Sequence, residues 1–411
     1  MNRNLSSPDR REPRGQILVI VAVGMVVIIG MVGLVIDGGF AWGQQRHGQN
    51  GVDAVVLSGA VMLAENQPFV SAGETVPNSD EAIKTQLLDI ADRNGLAFDV
   101  AYYTDFDGVP LTGPIEVGSL GTNAPPPGAY GIEGHGHRTF DTFLAGVLGF
   151  DSFTADVTAT AHTGPIVRLD GGTVLPVTFP VTITGCDGSN KAVKDPSGEE
   201  WQQADGGDYS DAAAYIVPLC AGEPGNVGWL DWSPPGGGAS EIEAQIYKPD
   251  HDPLWIPDWY YVSQTGNMSS GDKNGIQAAL NSYAVFPTPE DNAPQGTTVS
   301  IPLFDATCED DPDPGGVGES APDPEACTVG EGQGQDMWYH LAGWTDFEID
   351  WVDLNGGSAV CGTTDEVEGT TGNGATGCFR GWFRQFLGPG ELGSPTGDES
   401  SLTKWGVELS K

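Results

Sequence analysis

The chain has 411 residues, which is long enough for two or three compact units with a sizeable core. Its 60 glycines and 30 prolines are typical of a protein rich in turns and β-structure rather than of a helical bundle. Lys and Arg number 17 against 57 Asp and Glu, and the formal net charge of −40 excludes nucleic acid as a partner.

The first apolar run is residues 17–36, twenty residues without a charge. At about 1.5 Å of helical rise per residue they cover about 30 Å, the thickness of a bilayer's hydrocarbon core, and therefore predict a single transmembrane helix. A buried core helix is the first alternative. A cleaved signal peptide is the second alternative. Signal peptides have a shorter apolar stretch followed by a small-residue cleavage site, and the run in this chain is too long and lacks such a site.

Charge on the two sides of this run predicts its direction. Arg3, Arg10, Arg11 and Arg14 precede it, opposed only by Asp9 and Glu12. The rest of the chain contains 13 of the 17 basic and 55 of the 57 acidic residues. By the positive-inside rule, residues 1–16 form a cytoplasmic basic segment and residues 38–411 lie outside the cell membrane.

Residues 37–66 predict an amphipathic stalk helix that continues out of the membrane. Its apolar side chains recur at helical spacing, as expected for a helix against which a globular head packs: Val52, Val55, Val56, Gly59 and Leu63. Interior glycines weaken a helix, so a kink is expected near Gly38 and Gly39.

Three motifs in this region occur in a fixed order: an R-G-Q start, a G-L-V-I-D-G-G exit from the apolar run, and a Q-N-G-V-D-A-V-V-L-S-G-A helix. Together they resemble the N-terminal region of the TadE/TadG-like Flp pilus-assembly proteins. The resemblance covers residues 14–66. The residues that we single out for family identity and helix packing are Gly15, Gln16, Gly30, Gly33, Asp37, Gly38, Gln49, Asn50, Asp53 and Gly59.

The resemblance implies a non-catalytic, membrane-anchored accessory component of a Tad/Flp-type pilus or secretion system, either minor pilin-like or an assembly protein. Its expected partners are other Tad pilus-system membrane proteins or pilins, and membrane lipid. Two family features are absent: Ile20 stands where a prepilin substrate has its glutamate, and no D-x-S-x-S metal motif occurs. The alternative function is a membrane-anchored adhesin or carbohydrate-binding module unrelated to pili.

The external part predicts an α+β fold in two units. In the small α+β unit, residues 67–165, we expect a helix over 78–93 capped by Asn78, strands over 98–103 and 153–161, and a turn at 105–108. Residues 166–411 predict a β-rich domain with no comparable helix, and with strands over 174–184, 213–219, 299–304, 337–351 and 402–409.

All six cysteines lie in the β-rich domain, an even number in a part of the chain expected outside the cell, and so predict disulfides. Fifteen connectivities are open. Pairing of successive cysteines is preferred because it closes short loops of 34, 19 and 17 residues: Cys186 with Cys220, Cys308 with Cys327, and Cys361 with Cys378.

No catalytic motif and no cofactor site is expected. The acidic loop 309–325 offers oxygen ligands for calcium, although a solvated loop is favoured over a calcium site. His135 and His137 have the spacing of a metal pair, but a glycine-rich loop is favoured there. Most of the 11 tryptophans are expected in the core rather than on a sugar-binding surface.

Overall fold

The computed structural model describes the following residues: 14–170, 172, 174–181, 215–220, 227–230, 239–249, 251, 253–256, 258–261, 270–283, 298–308, 338–354, 375–383, 387–396 and 403–410.

One helix, α1 (Arg14–Ala72), forms the N-terminal part of the described chain. It has 59 residues and is therefore about 88 Å long. The predicted membrane span and the predicted stalk are thus two halves of a single helix, which continues without interruption through Gly38 and Gly39. The expected kink stays a prediction.

The two halves of α1 have different surroundings. Its most apolar 18-residue stretch has a mean hydropathy of 3.1, yet only 6 % of that stretch is buried. A core helix of a soluble protein would be covered by the rest of the chain, so this half fits a membrane anchor instead. The outer half is a core element, and Val52, Val55 and Val56 are fully buried.

The outer half of α1 packs on the first unit of the head. This unit contains helix α2 (Asp80–Arg93), strand β1 (Ala97–Thr104), strand β2 (Gly131–Asp141), a 3-10 turn (Ala145–Leu148) and strand β3 (Ser152–Leu169). The three strands form an antiparallel sheet in the order β1-β2-β3. The predicted helix, the strands and the turn near Asp105 are all present.

The predicted cap of α2 was wrong. Ser79, not Asn78, is the N-cap, since its side chain accepts a hydrogen bond from the amide of Ala82. Asn78 instead pairs with Asn66 of α1, whose side chain bonds both the amide and the carbonyl of Asn78. The side chain of Asn78, which local sequence rules assign to capping, instead donates hydrogen bonds to Met62 and Glu65 of α1.

The second part of the head is richer in strands. Its elements are β4 (Val177–Pro180), β5 (Tyr215–Cys220), β6 (Gly228–Trp229), α3 (Ala239–Tyr247), β7 (Leu254–Trp255), β8 (Asp258–Tyr261), α4 (Ser270–Asn281), β9 (Thr298–Cys308), β10 (Trp338–Asp353), β11 (Ala375–Phe383), β12 (Glu391–Leu392) and β13 (Trp405–Leu409). Its main sheet has the strand order β5-β11-β10-β9-β4-β6, and β8 pairs antiparallel with β10 as a seventh strand. Each strand predicted beyond residue 170 has a counterpart here.

The sequence did not predict α3 and α4. Both are short, and their apolar residues join the core of the second sheet through Ile242, Ile246, Ile276 and Leu280. A helix of 9 or 12 residues offers only two or three periodic apolar positions, which is too weak a signal beside strong strands.

Strand β3 connects the two parts of the head. Its first half pairs with β2, while its last residues pair with β7 and β12. The C-terminal strand β13 also pairs with β3, on the opposite side from β2, so the end of the chain completes the first sheet. Between the two sheets, Ile166 shares a core with Leu341 and Trp344 of β10.

A buried ion pair stabilises this connection. Nζ of Lys404, just before β13, lies 2.7 Å from a carboxylate oxygen of Asp346 in β10. Ser300 donates a further hydrogen bond of 2.8 Å to the same carboxylate. Since both charged side chains are buried, each depends on the other for its stability.

The predicted cysteine pairing stays a prediction. Cys308 and Cys378 are buried in β9 and β11, and Cys220 ends β5. Cys186, Cys327 and Cys361 lie outside the described residues. Among the described tryptophans, Trp229, Trp344 and Trp405 are buried, whereas Trp42 and Trp255 are exposed, so the expectation that most tryptophans lie in the core stays a prediction.

Candidate functional site

The junction between the apolar half of α1 and the head is organised by one acidic residue. Asp37 follows the apolar run directly, and its side chain is 6 % exposed. Its carboxylate accepts hydrogen bonds from three successive backbone amides of the loop after β2: Phe143 at 2.8 Å, Leu144 at 3.0 Å and Ala145 at 2.6 Å. The head is therefore fastened to α1 at the point where the helix leaves its apolar stretch.

The chemistry of this contact favours an ionised carboxylate. The amides at the start of a helical turn have no partner within the turn, so an acidic side chain satisfies them. Burial by itself raises the pKa of Asp37, but the hydrogen bonds from Ala145, Phe143 and Leu144 outweigh it, and the pKa lies below its ordinary value. Asp37 is thus a charged hydrogen-bond acceptor that holds the loop on α1, rather than a proton donor.

Gly33 lies one turn before Asp37 and packs against the same loop. A Cβ atom added to Gly33 would lie 3.0 Å from both Cβ and Cδ1 of Leu144, so the loop approaches the helix backbone closely. Beside this contact is an apolar cavity of about 450 Å³ between α1 and the loop. Its walls include Gly30, Gly38, Leu144 and Phe153.

A second contact joins α1 to β3 farther from the apolar run. Nε2 of Gln49 donates to the side chain of Asp53 at 2.8 Å and to the carbonyl of Thr158 at 3.0 Å. Gln49 and Asp53 therefore act together, because the hydrogen bond to Asp53 orients the amide that reaches the sheet. Gly48 lies against Val157 of the same strand.

Glycines let the helix and the sheet approach each other. A Cβ atom on Gly59 of α1 would lie 2.5 Å from Cδ1 of Ile132 and 2.8 Å from Cδ2 of Leu87. From the sheet side, a Cβ atom on Gly134 would lie 2.7 Å from a methyl group of Val56. These positions have no room for a larger residue, so they set the distance between helix and sheet.

The structure thus brings Gly33, Asp37, Gln49 and Gly59 into contact with the head, and Asp53 is hydrogen-bonded to Gln49 on the same helix. Gly30 and Gly38 have no atom within 4 Å of an added Cβ and only line the cavity. Asn50 is exposed. Gly15 and Gln16 lie in α1, and their side chains lie outside the description.

The other candidate sites remain separate from this junction. His135 and His137 lie in strand β2, not in the loop that the sequence favoured, and each pairs with a carboxylate, of Glu133 and Asp99 respectively. Within the described residues, no cluster of three or more His, Cys, Asp or Glu side chains has metal-binding geometry. The acidic loop 309–325 lies outside those residues.

A group of aromatic residues next to the Asp37 contact was not predicted from the sequence. Five aromatic residues surround this contact, and we call this group the aromatic foot: Phe40, Phe140, Phe143, Phe150 and Phe153. The ring of Phe40 in α1 lies edge-to-face with those of Phe140 and Phe143, at distances of 5.6 Å and 5.2 Å between ring centroids. Phe153 joins Phe140 to Phe150. The density of Phe and Leu over residues 140–153 was the available signal.

Residues 15–62 match the Tad family, described as Flp pilus-assembly TadE/G-like. The matched segment comprises nearly all of the apolar half of α1 and the part of the helix that carries Asp37, Gln49, Asp53 and Gly59. It bears out the resemblance seen in the N-terminal motifs and supports a part in Tad pilus assembly. No curated protein and no solved structure matches the chain.

Proposed function

We propose that this protein is a non-catalytic, membrane-anchored accessory component of a Tad/Flp-type pilus or secretion system, either minor pilin-like or an assembly protein. It works without a cofactor. Its partners are other membrane proteins or pilins of the same system. The family-matched segment, residues 15–62, contains Asp37, which bonds the loop of the head, and this observation carries the proposal.

The physical argument concerns rigidity. A pilus subunit or assembly factor has to keep its head in a defined position relative to its membrane helix, because neighbouring subunits contact both. In this chain the helix passes unbroken from the apolar run into the core of the head, and Asp37 fixes the loop at the transition. A surface adhesin on a simple tether does not require such a joint.

The proposed orientation follows from the charges. The arginine-containing N-terminus lies in the cytoplasm, and the acidic head lies outside the cytoplasmic membrane. Protease added to intact spheroplasts then degrades the head and leaves an N-terminal tag protected. Protection of the head and loss of the tag would contradict this orientation.

The functional test is a chromosomal deletion complemented with variants. Asp37→Ala removes the acceptor of three amides, and we expect normal membrane insertion but a large loss of pili on the cell surface. Asp107→Ala is the matched control, since Asp107 is exposed in the turn after β1. Pili that are unchanged in the deletion strain would contradict the proposal, and normal pili with lost adhesion would favour the adhesin alternative.

A further inference from the structure

The aromatic foot exposes more apolar surface than a head surrounded by water would. Phe143 is 64 % exposed, Phe150 59 % and Phe153 40 %. Their rings are connected through Phe140 to Phe40 on the helix. Contiguous exposed apolar patches of this kind mark contact with a protein or a membrane.

The height of the foot along α1 decides between these surroundings. Leu144 packs on Gly33, which lies within the apolar run and three residues before its end at residue 36. At about 1.5 Å per residue, this contact is roughly 5 Å inside the apolar edge. The loop is held there by Asp37, so a bilayer around residues 17–36 meets the foot at its outer surface.

Residues of α1 just beyond the foot have the composition of a membrane interface. Trp42 is 63 % exposed, and the guanidinium of Arg46 lies over its ring at 4.9 Å. Tryptophan is enriched where the hydrocarbon core meets the headgroups, and an arginine farther out reaches the phosphates. Aromatic side chains of both the helix and the head therefore lie near the outer edge of the apolar run.

We infer that the aromatic foot inserts into the outer surface of the membrane, so that the head rests on the lipid in addition to being tethered by α1. The apolar cavity between α1 and the foot opens at the same level, and a lipid acyl chain fills it. This inference rests on the proposed membrane anchoring but not on the pilus role.

The force that holds the foot in the lipid is apolar rather than electrostatic. Asp141 and Asp151 flank the foot, and both are exposed. Acidic side chains at this level are repelled by an anionic lipid surface, so anionic lipid does not strengthen the insertion. Insertion by burial of aromatic rings is therefore expected on zwitterionic membranes and does not require anionic lipid.

The test uses full-length protein reconstituted in phosphatidylcholine vesicles, with the photoreactive amino acid p-benzoylphenylalanine at one position in each preparation. A probe that replaces Phe143 or Phe150 is expected to form lipid adducts at a yield at least tenfold above that of a probe at Val109. Val109 is an equally exposed control at 57 %, in the turn after β1. That turn packs near Thr160, about 25 Å along β3 from the foot.

A probe at Val32 within the apolar run separates failure of the foot from failure of the anchor. Lipid adducts at Val32 together with none at Phe143 and Phe150 would overturn the inference while leaving the anchor intact. Adducts with a second protein copy in place of lipid would also overturn it. Phosphatidylglycerol in the vesicles is expected not to increase the lipid yield, and a yield that requires the anionic lipid would contradict the apolar origin of the contact.

Discussion

Substitution of Gly59 tests how the family-matched helix packs on the head. Gly59 lies in the middle of the outer half of α1, where an added methyl group would come within 2.5 Å of Ile132 and 2.8 Å of Leu87. Ile132 is 0 % exposed and Leu87 is 1 % exposed, so neither side chain can turn into solvent to make room. Gly59→Ala therefore forces either the helix or the sheet to move.

The expected magnitude follows from two opposing effects. Replacing glycine by alanine in a helix stabilises it by about 1 kcal/mol. Forcing an extra methyl group into a filled core costs about 1–3 kcal/mol. With two contacts below 3.0 Å we take the upper end, so the net loss in the free energy of unfolding is about 2 kcal/mol.

Two further variants isolate the packing effect. Gly43→Ala, on the same helix, has no neighbour within 4 Å of the new atom and should show only the stabilisation of about 1 kcal/mol. Ile132→Val removes the Cδ1 atom that the new methyl meets and alone costs about 1 kcal/mol. The combination of Gly59→Ala with Ile132→Val should then lose about 1 kcal/mol instead of the sum of about 3.

The assay is urea unfolding of the full-length protein in detergent micelles, followed by tryptophan fluorescence. Trp405 is fully buried in β13 and stacks on Tyr130, so unfolding of the first sheet changes the contribution of Trp405 to the summed emission of the 11 tryptophans. Midpoints are compared at constant denaturant slope. Equal stabilisation by Gly59→Ala and Gly43→Ala would refute the packing of α1 on Ile132 and Leu87.

Three other predictions concern buried charges. Asp80→Ala removes the acceptor of the Tyr103 hydroxyl and of three loop amides, and should cost about 3 kcal/mol of unfolding free energy in the same assay. Lys404→Ala leaves the carboxylate of Asp346 buried without its partner and should cost about 3–5 kcal/mol. Because the pKa of Asp37 is lowered, its contribution is present above the ordinary Asp pKa of about 3.9 and is lost as pH falls through the lower folded value.

Each of these has its own control. Asp92→Ala, at an exposed position of α2, should change the free energy of unfolding by less than about 0.5 kcal/mol. A change of the same small size for Asp80→Ala would contradict the role of Asp80 as a buried acceptor. Lys404→Met combined with Asp346→Leu should lower the free energy of unfolding less than Lys404→Ala alone, since neither charge of this ion pair is then left buried without its partner. For Asp37, the chemical shifts of the ¹⁵N-labelled amides of Leu144 and Ala145 should change with pH at a midpoint below the ordinary Asp value of about 3.9. A midpoint above that value would be inconsistent with the hydrogen bonds to Asp37.

Periodicity and composition were sufficient for the parts of the fold that depend on local sequence. The uncharged run 17–36 and the spacing of Val52, Val55 and Val56 predicted the helix and its buried face, because both patterns repeat within a few turns. Five strands beyond residue 170 were found in the same way, whereas β6, β7, β8, β11 and β12 were not predicted. The short helices α3 and α4 were missed because two or three turns contain too few apolar residues at helical spacing to be recognised.

What only the tertiary structure decided is which distant residues meet. The sequence marked Gly33, Asp37, Gln49 and Gly59 through a family resemblance, but no local rule assigns Asp37 to amides that lie 106 to 108 residues away. Nor does any local rule place β13 beside β3 or bring Lys404 to Asp346. Hydrogen bonds and close packing between distant segments depend on how the chain folds back on itself. A pattern that repeats every two or four residues determines which face of an element is buried but not what covers that face.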